Sequence, residues 1–476
     1  MSARHPARLI PVFLLVLIGV GLVQVGFLID KTTISNITTP LKGIMKGSPY
    51  HQSSTEEAIT SPHDIYKPTD WESDYFYKWG QTRAGYRWVT ESRLRALAAC
   101  SARGDCPANA HKIAIFATIH SHMALFDGYT GGEGTWSKGM IKSLERQGYT
   151  VLFARNNFEY VYHIYRQFPD LVKAIFVDPS GDNGQKYTDF LKKPDRLNGI
   201  PAWKFFIAYY FPNAFSSIVG NKWVLTAEPN DNNLTTYTGY EIDRSKTLKN
   251  YVPFEQRPHR VYVLAKYLHF FANHSMAAKV WDDDYYQRAT DELRQRWPDF
   301  EIVGAIIDSR GEKEQKAEPW TLPPGIRNMG KLGPAEFDEA LSNSRLLLGV
   351  GRPGLSPSPW RGLALGLPFL NPGDPAHKGP WQHHTVAKLG PPYSYNTQKF
   401  NYTEFVNNIA AAMETPIEPY IHPLMEAEAV DRRMHDVMTR DWRSEAAAIL
   451  EERKKGNETQ LFIDHPYAGG PELFEL

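Results

Sequence analysis

Residues 346–372 read LLLGVGRPGLSPSPWRGLALGLPFLNP. Two apolar runs bound the stretch, and between them Gly349-x-Gly351-x-x-Gly354 has the spacing of a dinucleotide-binding turn. Asp374 follows near where a ribose-binding acid would stand. That fingerprint needs an unbroken helix directly after its third glycine. Pro357 and Pro359 forbid one, because proline lacks an N–H and is tolerated only in a first helical turn. A helix is therefore expected only over 359–365, capped by Ser358 and stopped near Gly366. NAD and FAD are set aside. What remains is a long strand-to-helix loop whose helix N-terminus offers N–H groups to a diphosphate.

Outward from this stretch the chain alternates strand and helix. KIAIFAT (112–118), YTVLFA (149–154) and VKAIFVDP (172–179) read as buried strands. SKGMIKSLERQG (137–148) and YVYHIYRQFP (160–169) read as helices between them. A second series begins at HRVYVLAKY (259–267) and continues through a helix from Asp282, the strand FEIVGAII and the helix GPAEFDEALSNS. It ends with RLLLGVG and LPFLNP, and residues 402–414 and 423–455 read as closing helices. Alternation of this kind predicts an α/β protein with parallel sheets. Two series predict two Rossmann-like domains facing across a cleft, over 71–255 and 256–420, with closing helices and a tail over 421–476.

Lys plus Arg equals Asp plus Glu at 53 each, so no basic field draws the chain to nucleic acid. Residues 9–29 are apolar except for Gln24 and just long enough to cross a bilayer as a helix. Arg4 and Arg8 precede the run, which predicts a cytoplasmic tail over 1–8, a transmembrane signal anchor and a lumenal body. A cleaved signal peptide is the alternative. Residues 30–70, rich in Ser, Thr, Pro and Gly, read as a stem. Sequons at Asn36, Asn233, Asn273, Asn401 and Asn457 exceed the roughly two or three expected by chance. Cys100 and Cys106 either close one small disulfide loop or remain free thiols.

The stretch 333–372, together with IEPY at 417–420, resembles glycosyltransferase family 18, the alpha-1,6-mannosylglycoprotein 6-beta-N-acetylglucosaminyltransferases of the N-acetylglucosaminyltransferase V type. Weaker likeness covers VYVLAKYLHFF, VLTAEPNDNNLTTYTGYEI and GGEGTWSKGMIKSLERQGYTV. The resemblance implies a GT-B fold of two Rossmann-like domains and a Golgi signal anchor. It implies UDP-GlcNAc as donor substrate rather than a cofactor, a mannose of an N-glycan on a glycoprotein as acceptor, and no metal. It aligns Glu133 with the family's catalytic glutamate. The family carries glutamates in the donor loop and at the start of the following helix, where this chain has Leu355 and Arg361. That departure leaves open a changed donor pocket or a non-catalytic relative.

An inverting transferase needs one carboxylate to take the acceptor hydroxyl's proton, and Glu133 in TGGEG is the candidate, with Glu228 and Asp178 as the next acids. Gly131 and Gly132 would let the backbone approach the donor. Lys266, Arg352 and Arg361 are candidate partners for phosphate oxygens, with Gly351, Ser356 and Ser358 in the same donor loop. His120 and His122 are candidates for the acceptor side or for structural roles. Asp282–Asp284 opens a helix, where acids are favoured without any metal, and His383 and His384 lack further ligands at zinc spacing.

Overall fold

The computed structural model describes residues 85–178, 186–211, 217–229, 234–271, 279–374, 382–457 and 474–476. The expected tail, anchor and stem lie outside the described residues, as do Asn36, Asn233 and Asn273. Among the described residues no helix is long and apolar enough to cross a membrane.

The first half opens with α1 (Gly85–Arg103), β1 (Ile113–Ala117), α2 (Ile119–Phe126), α3 (Gly132–Arg146), β2 (Thr150–Phe153), α4 (Phe158–Gln167) and β3 (Val172–Val177). It continues through β4 (Phe205–Ala208), β5 (Val224–Thr226), β6 (Thr236–Tyr237) and the short α5 (Arg244–Leu248). The second half follows with β7 (Arg260–Leu264), α6 (Tyr285–Arg294), β8 (Glu301–Gly304), α7 (Glu312–Ala317), β9 (Ile326–Asn328), α8 (Pro334–Ser342) and β10 (Leu346–Gly349). Then come α9 (Ser358–Ala364), β11 (Phe369–Gly373), α10 (His384–Ala387), β12 (Ser394–Gln398), α11 (Tyr402–Glu414), α12 (Ala427–Thr439) and α13 (Trp442–Lys454).

Each half holds a six-stranded sheet, in the orders β2-β1-β3-β4-β5-β6 and β12-β11-β10-β7-β8-β9. Every pairing is parallel. This is the α/β architecture expected. In both sheets the chain reverses its direction of growth once, between β1 and β3 and between β7 and β10. Loops leaving such adjacent strand ends diverge to opposite faces and leave a crevice where ligands bind.

Side chains alternate across the second sheet. Leu347 and Tyr262 join the large core shared with the first half, whereas Leu346, Leu348, Val261 and Val263 face a second core under α6 and α11. Burying each such side chain contributes roughly 1.5–3 kcal/mol. The closing helices return to the first half: Arg146 on α3 pairs with Asp431 at 2.7 Å and Glu241 at 2.6 Å. Trp442 packs between Phe206 and Trp223.

Candidate functional site

At the first reversal, β1 runs into Thr118, whose side-chain oxygen accepts from Ser121 N–H and starts α2. Asp178, just past β3, accepts the Ile119 N–H through Oδ2 and lies with Oδ1 3.8 Å from His120 Nδ1. Burial alone would lower the His120 pKa; the hydrogen bond and charge of Asp178, aided by Glu133, outweigh it and raise His120 above its ordinary value. His120 therefore stands at the strand end among acids. His122 does not. Two residues on, it points to the other side of α2, buried between Tyr86 and Phe126. Burial, with Arg155 second, lowers its pKa to about 4. The structure thus separates the two candidates and makes His122 a core residue.

Glu133 sits in the first turn of α3, which starts at Gly132, five residues before the helix start expected from sequence. Gly131 caps it in extended conformation. Tyr129 Oη donates to Glu133 Oε2 at 2.9 Å. Burial first, and the Glu133 charge second, push the Tyr129 phenol well above its usual range, so it remains a donor. The glycines are needed for closeness. A Cβ on Gly131 would collide with the Tyr129 ring, and one on Gly132 would lie 2.9 Å from Tyr210 Oη and 3.1 Å from Pro357 Cδ. The turn carrying Glu133 therefore touches the loop after β10 in the other half.

At the second reversal, β7 ends at Leu264, so Lys266 lies beyond the strand and is exposed. Its Nζ is 5.4 Å from the Tyr267 ring centre, and that ring stacks on His269 at 5.3 Å. Arg352 is exposed; burial, with Arg352's charge second, lowers the His269 pKa. Gly351 adopts φ +82°, and its N–H donates to Gln382 Oε1 at 3.2 Å. The Gln382 amide donates in turn to the Pro353 carbonyl.

Two expectations need correction here. Ser358 is the first helical residue rather than the cap, which is Pro357; the Ser358 N–H donates at 3.0 Å to Ser356 Oγ. Arg361 is already ion-paired with Asp338 on α8. Burial raises the Asp338 pKa against the pull of Arg361. Leu355 is buried in the larger core. Neither position therefore presents a carboxylate to a ligand.

Asp283 pairs with Lys279 at 2.7 Å ahead of α6, and Asp284, the N-cap of α6, pairs with Arg288 one turn on at 3.0 Å. His383 is fully buried edge-on to Phe369, and burial lowers its pKa to about 3. Among the described residues no group of three or more His, Cys, Asp or Glu could hold a metal ion. Cys100 and Cys106 are joined by a disulfide. Asn401 Oδ1 accepts the Glu404 N–H at 3.1 Å and caps α11, and Asn457 is exposed beside Glu452.

Sequence reasoning missed Tyr129, Tyr210 and Trp360. A Tyr within four residues of a candidate acid, inside a glycine turn, was the available signal for Tyr129. Nothing local marks Tyr210 or Trp360, which reach the site from distant elements.

No known family profile matches the chain. It has weak, partial similarity to alpha-1,6-mannosylglycoprotein 6-beta-N-acetylglucosaminyltransferase B. The human protein is 26% identical over 138 residues, covering 25% of this chain and 17% of the relative. The mouse protein is 27% identical over 124 residues, covering 22% and 16%. The similarity thus spans less than a fifth of either relative. Among solved structures, UDP-GlcNAc 2-epimerase from Methanocaldococcus jannaschii aligns over 68% of this chain and 99% of its own, at 12% identity and a TM-score of 0.40. Acinetobacter baumannii MurG aligns over 71% and 99%, at 12% identity and a TM-score of 0.32.

Proposed function

We propose that the chain is a GT-B-type, inverting, metal-independent glycosyltransferase that moves a sugar from a nucleotide donor to a glycan. The favoured donor is UDP-GlcNAc and the favoured acceptor a mannose-containing glycan of a glycoprotein, in line with the partial similarity above. The observation that carries the reading is the contact at Gly132, where the turn bearing Glu133 meets Pro357 of the loop after β10. An acid and a cation-flanked loop thus lie together at two strand-order reversals. In the proposed step, Glu133 takes the proton of the acceptor hydroxyl as its oxygen bonds to the anomeric carbon. The bond from that carbon to the diphosphate breaks, and UDP leaves with the electron pair. Tyr129 orients the carboxylate. Lys266 and Arg352 offset the charge that develops on UDP, and His120 stands on the acceptor side.

The test is UDP release from UDP-GlcNAc by the full-length protein, with and without a mannose-terminated N-glycan and with and without EDTA. Acceptor-dependent release that survives chelation supports the reading; no release with any nucleotide sugar overturns it. A second reading, a non-catalytic glycan-binding relative, is favoured by buried Leu355 and by Arg361 held at Asp338. Glycan binding without turnover would select it. We also propose a single-pass type II Golgi membrane protein with a lumenal body. Endoglycosidase should then increase its gel mobility, and protease should leave the body intact in sealed microsomes.

A further inference from the structure

Glu228 lies two residues past β5, fully buried. Its backbone is fixed by Thr226, whose hydroxyl donates to the Glu228 carbonyl at 3.0 Å. Its side chain faces the other half: Trp360 Nε1, on α9, donates to Oε1 at 3.3 Å. Next to it, His384 Nε2 is 3.0 Å from the Pro229 carbonyl. Glu228 Oε2 and the hydroxyls of Thr385, Tyr210, Tyr237 and Tyr240 are buried without a hydrogen-bond partner of ordinary geometry. Tyr210 packs edge-on to Trp136 on α3 at 6.0 Å, with its hydroxyl against Gly132. β4, which leads into Tyr210, pairs with β5, which leads into Glu228, and Tyr209 N–H donates to the Leu225 carbonyl at 3.0 Å, so the Glu133 turn and the helix after the donor loop both rest on these two neighbouring strand ends.

We infer that Glu228 is a positioning residue of the proposed transfer, a buried carboxyl that holds the donor-side helix, through Trp360, against the turn carrying Glu133, through Tyr210. The inference rests on the transferase reading above. An unpaired buried carboxylate is costly, whereas a carboxylic acid keeps its acceptor for Trp360 and gains a donor. Burial accordingly raises the Glu228 pKa, against smaller opposing effects of His384, Trp360 and Thr385. Tyr210, Tyr237 and Tyr240, which also surround it, are raised by burial first, with Arg433 opposing the rise at Tyr237, and stay neutral.

The experiment uses the full chain with Glu228→Gln, Glu228→Ala and Trp360→Phe. UDP release from UDP-GlcNAc is measured with melting curves from pH 5 to 8. Glu228→Ala should lower kcat about 10–100-fold with KM for UDP-GlcNAc within about threefold, and Glu228→Gln should restore kcat to within about threefold. Trp360→Phe, which removes the hydrogen bond, should reproduce the kcat loss, and it carries the test should Glu228→Ala fail to fold. An acid whose folded pKa is raised adds stability at low pH that is lost as pH rises through that pKa. Glu228→Gln should therefore melt above the wild type by a margin that grows with pH. An unchanged kcat in Glu228→Ala, or a Gln variant as slow as the Ala variant, overturns the positioning role. A wild type that turns over no nucleotide sugar removes the proposed function and this role with it. The melting comparison still decides separately whether the seam is neutral.

Discussion

The two strand edges that meet at the site are furnished differently. At the β1/β3 edge the polar groups are engaged with one another: Tyr129 donates to Glu133, and Asp178 holds Ile119 N–H and faces His120. At the β7/β10 edge a backbone bent by Gly351 and pinned by Gln382 leaves Lys266 and Arg352 exposed. Pre-engaged acids suit a group that must hold one proton-accepting geometry. Exposed cations beside a glycine turn suit an incoming anion. Under the proposed function, the chemistry falls to the first edge and donor binding to the second.

The strongest way to break that division is Glu133→Gln. It should lower kcat about 10²–10⁴-fold while UDP binding, read by calorimetry, stays nearly unchanged. Equal loss of both would place Glu133 in donor binding instead. Both halves should lose stability in acid. His383 in the second half and His122 in the first are kept neutral by burial, near pKa 3 and 4. A histidine with a lowered folded pKa stabilises above its unfolded value near 6.5, and that contribution is lost as pH falls through the window. Between pH 7 and 4 the loss for His383 is on the order of 3 kcal/mol, and His383→Leu should flatten it in acid melting curves. Lys266→Ala should weaken UDP binding about 10–30-fold, the scale of one charged hydrogen bond, with little change in melting temperature. The smallest effect belongs to Arg361. Its pair with Asp338 is partly exposed, so Arg361→Ala should cost about 0.5–1 kcal/mol of stability and leave UDP affinity within about twofold. A larger drop in UDP affinity would return Arg361 to the donor site.

Strands β1, β2, β3, β7, β8, β10 and β11 were legible because buried parallel strands are continuous apolar runs, as in IAIFA and VKAIFV. The short strands β4, β5, β6 and β9 and the polar β12 were not. β6 has two residues and β12 reads SYNTQ, too short or too polar to show a pattern, and pairing with a neighbour makes them strands. The start of α3 was misplaced because three glycines depress helix propensity, whereas Tyr129 and Tyr210 pack onto that turn and hold it. The placement of Glu133 beside a glycine turn was legible from TGGEG. The Arg361–Asp338 pair and the burial of Glu228 were not, since each depends on elements far apart in sequence.

The account's central claim is that both edges form one site. Hydrogen exchange of the full-length protein with and without saturating UDP tests it most directly. UDP is predicted to slow exchange in the 350–358 loop and, through the Pro357–Gly132 contact, in the turn at 129–135. Protection confined to one edge, or lying away from both, would contradict it.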